Sequence, residues 1–331
     1  MLHLIQSISN LNIHILIRVS LFTLFCLWNA VCSSEILLTT SEEEPLQFIV
    51  IGDWGMQGSR QQHQVAAQME RLAAREAIDF IISTGDNFYP SGVKSSVDPL
   101  WKTTFEDVYS GPYLKQIPWY IVLGNHDYLG EIHAQIEYGG EHDNWILENN
   151  YYEKKFSLAK NSVAQFLLLD SSVFIKAYHA RPDLYRHIGS QDPASQIKWL
   201  REKLDETDAV WRITVGHHPL YSSGGHGGSK ELQTALAKLF DKHHVDVYFA
   251  GHDHHLEHIK RIGPTHYFIS GGGGARIRQV GTGEHTLFSA SSLGFAHVVL
   301  DKHCMRVRFI NETGKELYRT AIPAKLTIEC E

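Results

Sequence analysis

The sequence predicts an α/β domain built on sheets that are at least partly parallel. Five apolar runs carry this expectation: FIVIGDWG (48–55), FIISTGDN (80–87), WYIVLGNHD (119–127), RITVGHHP (212–219) and VYFAGHDHH (247–255). Each holds four or five β-prone residues, then glycine, then a polar side chain able to bind metal. Runs this continuously apolar suit strands covered on both faces. Helical patterns lie between several of them, and strand–helix alternation marks α/β units. The 331 residues, 43% hydrophobic and 20% charged, have ordinary globular composition, enough for one large domain or two small ones.

In chain order, residues 1–32 differ from the rest. Arg18 precedes the apolar stretch VSLFTLFCLWNAVC, which ends near the small residues Ala30, Ser33 and Ser34. A basic residue, a short apolar core and a small-residue cleavage region describe a signal peptide. The stretch is short for a membrane span, so export without a stable anchor is expected. Residues 33–45, SSEILLTTSEEEP, form a linker, and 46–331 the folded domain. Ser59 with Gln62 suits a capping box opening a helix through RQQHQVAAQMERLAAREA. A strand pair fits YYEKKFSL and VAQFLLLD. Asp192–Pro193 places a cap and an N1 proline before SQIKWLREKL. Ser229 caps KELQTALAKLFDKHH. The Gly271–Gly274 run is expected as a flexible loop, since no GK[ST] or opening helix follows it. From about Leu293 the tail suggests strands joined by an Asn/Thr/Gly turn, and Asn311-Glu312-Thr313 fits a glycosylation sequon. Cys26 and Cys32 fall in the leader; Cys304 and Cys330 either pair or stay as free thiols.

The net charge of −7 predicts no basic face and excludes nucleic acid as a partner class. In open α/β sheets, sites form outside the carboxyl ends of strands. All five glycine-plus-ligand motifs fall there, gathering Asp53, Asp86, Asn125, His126, His217, His252 and His254, with Tyr89 close by. A mixed oxygen and nitrogen set without thiolate points to iron, zinc or manganese. The set is too large for one ion. A shared carboxylate between two ions about 3.5–4 Å apart is the geometry of two-metal phosphate-ester hydrolysis. His218, Asp253 and His255 are expected to point elsewhere, and His63, His243 and His244 to be exposed helix positions.

"GDWG", "GDNFY", "GNHD", "GHHP" and "GHDHH", taken in order, resemble the metal motifs of the purple acid phosphatases, tartrate-resistant type, within the calcineurin-like metallophosphoesterases. The resemblance runs from about Leu46 to Pro323 and includes "TTFEDVYS", "PWYIVLGNHDYLG" and "AQIEYG". It implies a single-domain β-sandwich of two mixed sheets flanked by helices. By the same resemblance Asp53, Tyr89 and His254 bind Fe(III), and Asp86 bridges both ions. Asn125, His217 and His252 bind Fe(II), Zn(II) or Mn(II). His126 and His226 are then catalytic, holding the phosphoryl group and protonating the departing alkoxide. Tyr89 separates this reading from a generic divalent-metal site, because a phenolate is a hard anionic donor that favours a trivalent ion. Asp86 as bridge and Tyr89 as ferric ligand are expectations of the resemblance, as is the rest of this ligand set.

The implied activity is acid hydrolysis of phosphate monoesters, with a metal-held hydroxide as nucleophile. Histidine acids stay protonated only below about pH 6.5, which favours an acid optimum. The resemblance also implies a secreted, periplasmic or lysosomal location and leaves the oligomeric state open. Two other functions share the scaffold: a divalent-metal phosphodiesterase or nucleotide hydrolase, and a non-hydrolytic di-iron redox protein. Residues 171–192, SSVFIKAYHARPDLYRHIGSQD, lie where the family carries a loop over its active site. Their text does not match closely, and the family's cysteine pair near that loop is missing.

Overall fold

Two seven-stranded mixed sheets pack face to face in a single domain. The structure, a computed structural model, describes residues 44–159, 162–260, 263–325 and 330. The leader 1–32, and the linker before Glu44, lie outside the described residues. Among the described residues no helix is long and apolar enough to cross a membrane.

Strands β1 (Leu46–Ile51), β2 (Phe80–Ser83) and β3 (Trp119–Ile121) carry the first three apolar runs, with helix α1 (Arg60–Ala73) between β1 and β2. Helix α2 (Ile132–Glu141) and the short β4 (Trp145–Ile146) follow. Next come β5 (Tyr152–Ala159), β6 (Ser162–Leu168), α3 (Lys176–His179) and α4 (Pro193–Asp205). The fourth run forms β7 (Trp211–Val215). Lys230–Leu232, Gln233–Ala237 and Lys238–His243 run on as α5, whose middle turn is π-type. The fifth run forms β8 (Val247–Ala250). β9 (Leu256–Lys260), β10 (His266–Ser270), β11 (Thr286–Ala290), β12 (Gly294–Leu300), β13 (Cys304–Asn311) and β14 (Glu316–Pro323) complete the chain.

The first sheet has the order β14-β13-β12-β1-β2-β3-β4 and the second β11-β9-β10-β8-β7-β6-β5. β1, β2, β3 and β4 run parallel to one another, as do β6, β7, β8 and β10. The first sheet is therefore parallel from β1 to its β4 edge and antiparallel where the tail strands add on, and the second is parallel at its centre and antiparallel at both edges, one of them the predicted hairpin β5–β6. Phe48 of β1 meets Phe166 of β6 at 5.4 Å and Phe249 of β8 at 6.2 Å, closing the sandwich. Along β8, Val247 and Phe249 join this inter-sheet core, while Tyr248 and Ala250 face a second cluster with Leu200, Leu204, Leu236 and Phe240 of α4 and α5. Alternate residues thus bury on opposite faces, which is why the run carries no polar position.

The caps follow the sequence closely. Ser59 accepts from Gln62 N, Asp192 from Ala194 N and Ser195 N, and Ser229 from Leu232 N. The capping box closes differently than expected. Gln62 Oε1 accepts from Gly58 N at 2.9 Å, and Gln62 Nε2 donates to Thr104 O at 2.8 Å, so one side chain caps the helix and ties down a neighbouring segment. α1 also stops at Ala73 instead of reaching Ala77. Just beyond it, Glu76 pairs with Arg308 and His297 of the first sheet. His63 and His244 are exposed, but His243 is buried, with Nδ1 3.5 Å from Asp205 Oδ1. The packing of α5 against α4 corrects the expected exposure there. Cys304 and Cys330 form a disulfide with Cα atoms 5.4 Å apart.

Candidate metal centre

The five strand ends converge on one edge of the sandwich, three from the first sheet and two from the second. Asp53, Asp86 and His252 each follow the glycine that ends a strand, and each adopts positive φ, 57°, 55° and 67°. Such conformations cost on the order of 1–3 kcal/mol and persist only when the surroundings over-determine them. Here the loops lock each other. Asp53 N donates to Gly85 O, Gly55 N to Asp86 O and Gly251 N to His217 O. His252 N donates to Asp53 Oδ2 at 2.8 Å. A Cβ on Gly124 would stand 2.2 Å from Asp86 N and Oδ1, so only glycine lets β3 approach that close.

The Gly271–Gly274 run is not a flexible loop. All four glycines are buried, Gly271 N donates to His255 O, and Gly273 N donates to Gly52 O. A Cβ on Gly271 would lie 2.1 Å from Asp253 O and 2.9 Å from Asp53 Oδ2. The run is glycine because backbone passes against the centre without room for a side chain.

Two groups of donor atoms result. In the first, Tyr89 OH lies 2.7 Å from Asp86 Oδ2, 3.1 Å from Asp53 Oδ1 and 3.2 Å from His254 Nε2. In the second, Asn125 Oδ1 lies 3.1 Å from His217 Nε2 and 3.0 Å from His252 Nδ1, and His217 Nε2 lies 3.4 Å from Asp86 Oδ1. Asp86 offers one oxygen to each group. Metal–ligand bonds of about 2.0–2.2 Å give ligand–ligand edges of roughly 3.0–3.4 Å in octahedral to tetrahedral sites. The donors are spaced accordingly.

Their hydrogen bonding makes the same point. His217 Nδ1 donates to Thr84 O at 2.9 Å, which leaves Nε2 of the neutral ring with a lone pair aimed at another acceptor, Asn125 Oδ1. His254 Nδ1 donates to Arg276 O at 2.9 Å, which directs Nε2 toward Asp53 Oδ1 at 3.4 Å, where a proton or a cation satisfies the pair. Lone pairs facing lone pairs in a buried site are stabilised by cations. The residues fit two ions.

The charges are consistent. Burial raises the Asp53 carboxyl, but its hydrogen bond and Coulomb attraction to His254 outweigh this and hold it below the usual range. Burial, then His218, His217 and the other rings, push His252 well below the usual imidazole range, so it is a neutral donor. Burial and the charges of Asp53 and Asp86 push the Tyr89 phenol well above its usual range. A phenolate there requires a cation beside it.

His126 lies at the rim. Its Nδ1 donates to Pro90 O at 2.6 Å and its ring packs on Tyr89 at 4.3 Å, leaving Nε2 as the outward atom. The structure thus brings His126 beside the ligand candidates without adding it to either donor group. His226 reaches the same rim, its ring 4.4 Å from His252 and its backbone N bonded to Asp253 Oδ1 at 3.1 Å. Its Nε2 accepts from the guanidinium of Arg278. Burial and the Arg278 charge lower its pKa, so in this arrangement it is a neutral acceptor that orients Arg278.

Asp253 and His255 turn away, though not by strand alternation, since both lie in turns beyond β8; His218 does not, because one of its ring nitrogens lies within 4.8 Å of ligand atoms of His217 and His252. Asp253 Oδ2 accepts from Ser222 Oγ, and His255 Nε2 pairs with Glu257 Oε2 at 2.9 Å. His218 is buried against His252 at 4.4 Å, with its nitrogens engaged by Ser171 Oγ and Tyr178 OH, each at 2.9 Å. Arg278, Ser171 and Tyr178 fall outside the five motifs, and Asp127 ends one of them, GNHD, without being singled out there. Asp127 accepts from Gly124 N at 2.8 Å and from Asn87, and burial with the Asp86 charge raises its carboxyl to about 6. Arg278 has a weaker hint, a basic residue shortly past the glycine run.

The calcineurin-like phosphoesterase family profile matches residues 46–256. Purple acid phosphatase 3 of Arabidopsis thaliana is 34% identical over 86% of this chain and 79% of its own length. Human tartrate-resistant acid phosphatase type 5 is 31% identical over 90% and 98%. Among solved structures, GAP50, the anchor in the inner membrane complex of Plasmodium, is 29% identical with a TM-score of 0.76, covering 86% of this chain and 91% of that one. A purple acid phosphatase from yellow lupin shares the fold at 16% identity, with a TM-score of 0.63 over 85% of this chain and 54% of that one.

Proposed function

Because this chain belongs to the calcineurin-like phosphoesterase family, we propose that it is an acid phosphatase that hydrolyses phosphate monoesters with a dinuclear Fe(III)–M(II) centre. The observation that carries this is the pair of donor groups sharing Asp86, one of them completed by a phenol. Asp53, Tyr89, His254 and one oxygen of Asp86 would hold the ferric ion. Asn125, His217, His252 and the other oxygen of Asp86 would hold Fe(II), Zn(II) or Mn(II). Bound ions supply Lewis acidity toward phosphoryl oxygens and acidify water, so no covalent enzyme intermediate is needed.

The chain's own residues supply the rest. At the rim Arg278 aims a guanidinium beside His226. A fork of N–H groups there suits phosphoryl oxygens. His126, with Nδ1 committed to Pro90 O, has only Nε2 to offer, and as an imidazolium it protonates the leaving alkoxide from that atom. Arg278 displaced onto phosphate would free His226 Nε2 for the same rim. Partners are small or protein-borne phosphate monoesters. The N-terminal leader supports export, and a disulfide is at home in an oxidising compartment.

Aryl phosphate and bis-aryl phosphate should be assayed in parallel from pH 4 to 8, with metal content and visible spectrum measured on the same sample. Monoester hydrolysis with an acid optimum, about two metals per chain including iron, and a phenolate–iron absorption band are expected. A colourless, iron-free protein that prefers the diester would replace this reading with the divalent-metal phosphodiesterase. Iron with no hydrolysis would leave the redox protein.

A further inference from the structure

Away from the metal centre, a second set of ligand-type side chains meets on the surface. Glu131 caps helix α2, its Oε1 accepting from His133 N at 3.3 Å. That leaves Oε2 facing His187 Nε2 at 3.1 Å. The His133 and His187 rings stand edge to face, centroids 5.1 Å apart. One ligand atom from each of the three residues lies within 4.8 Å of the others. A simple ion pair explains Glu131 and His187 but assigns nothing to His133. It also sets a second imidazole against the first, which is unfavourable if both are protonated and productive if both are neutral donors to one cation.

We propose that Glu131, His133 and His187 form a separate site for a borderline divalent cation of the Zn(II) type, which clasps the 171–192 segment to the start of α2. Two imidazoles and one carboxylate suit zinc or copper and not calcium or magnesium. The positive end of the α2 dipole opposes a cation there, and the Glu131 charge offsets it, so the site is weaker than the buried centre. Its consequence lies in the segment it holds. Two residues before His187, Tyr185 stacks on Tyr178 at 4.3 Å, and Tyr178 OH engages His218 Nε2 against the centre. A cation at Glu131 thus cross-links positions 56 residues apart and fixes the segment that lies beside the catalytic residues.

The test uses the full chain with its centre already loaded. Equilibrium dialysis against micromolar Zn(II), with elemental analysis, counts zinc above the centre's own content. The native chain should take one extra equivalent, and His133→Ala and His187→Ala should each lose it with the centre's metals unchanged. Zinc should also slow tryptic cleavage at the exposed Lys176 and Arg186 in the native chain and not in the variants. His133 is exposed, so its variant keeps the fold. No extra equivalent in the native chain, or one that survives both substitutions, overturns the proposal. The native-minus-variant difference reads the same whether or not the centre hydrolyses anything, so failure here and failure of the phosphatase reading are distinguishable.

Discussion

Ser171→Ala removes one hydroxyl and should damage a centre it never touches. Ser171 is 1% exposed. Its Oγ accepts from His217 N at 3.0 Å and His218 N at 2.9 Å, and donates to His218 Nδ1 at 2.9 Å. A hydroxyl has one donor and two acceptor sites, and all three are used. His218 is neutral, because burial and then the charges of His217 and His226 push it well below the usual range, so its Nδ1 can accept. Alanine leaves two buried N–H groups and a ring nitrogen without partners. Each orphaned N–H costs about 1–3 kcal/mol, so the variant should lose about 3 kcal/mol of stability. At about 2–4 °C per kcal/mol for large domains, its melting temperature should fall by roughly 6–12 °C. Scanning calorimetry on metal-free and metal-loaded protein checks this, with metal content measured alongside. The shift should appear in both, and the loaded variant should hold less of the divalent ion, because His217 loses its backbone anchor. A melting temperature within 1 °C of the native protein, with full metal content, would refute the reasoning and show that His217 is held by its strand alone.

Asp86→Ala should lose both metals and all activity, since its two oxygens face different donor groups; one metal retained with most turnover would show that it does not bridge. His126→Ala should keep both metals and the visible band while alkyl phosphate turnover falls by about 10²–10⁴-fold, and nitrophenyl phosphate, with its good leaving group, should lose much less. Equal losses on the two substrates would remove the general-acid role. Asp170→Asn should change the pH dependence of stability. Burial raises this carboxyl from 3.8 to about 7, so between those values the folded protein keeps a proton that the unfolded chain has released. Stability contributed by this group is present at low pH and falls as pH rises from about 4 to about 7. Urea midpoints at pH 5 and pH 7 should converge in the variant, and an unchanged difference would assign the slope to other groups.

What the sequence determined by itself is whatever depends on a few adjacent residues. Apolar runs ending in glycine gave the five strands, because parallel strands buried on both faces are apolar nearly throughout. Ser59, Asp192 and Ser229 marked helix starts, because a cap is satisfied two or three residues away. Asp53, Asp86, Asn125, His217 and His252 were legible as donors because topology sends every such strand end to one edge. The tertiary structure decided what depends on segments far apart in the chain. Of the adjacent His217 and His218, it turned one ring to Asn125 and the other to Ser171 and Tyr178. It paired His226 with Arg278, packed the Gly271–Gly274 run against Asp53, buried His243 beside Asp205, and joined Cys304 to Cys330. The division has one physical cause: backbone propensity and capping act over three or four residues, whereas a side chain's partner is chosen by packing between elements that meet only when the sandwich closes.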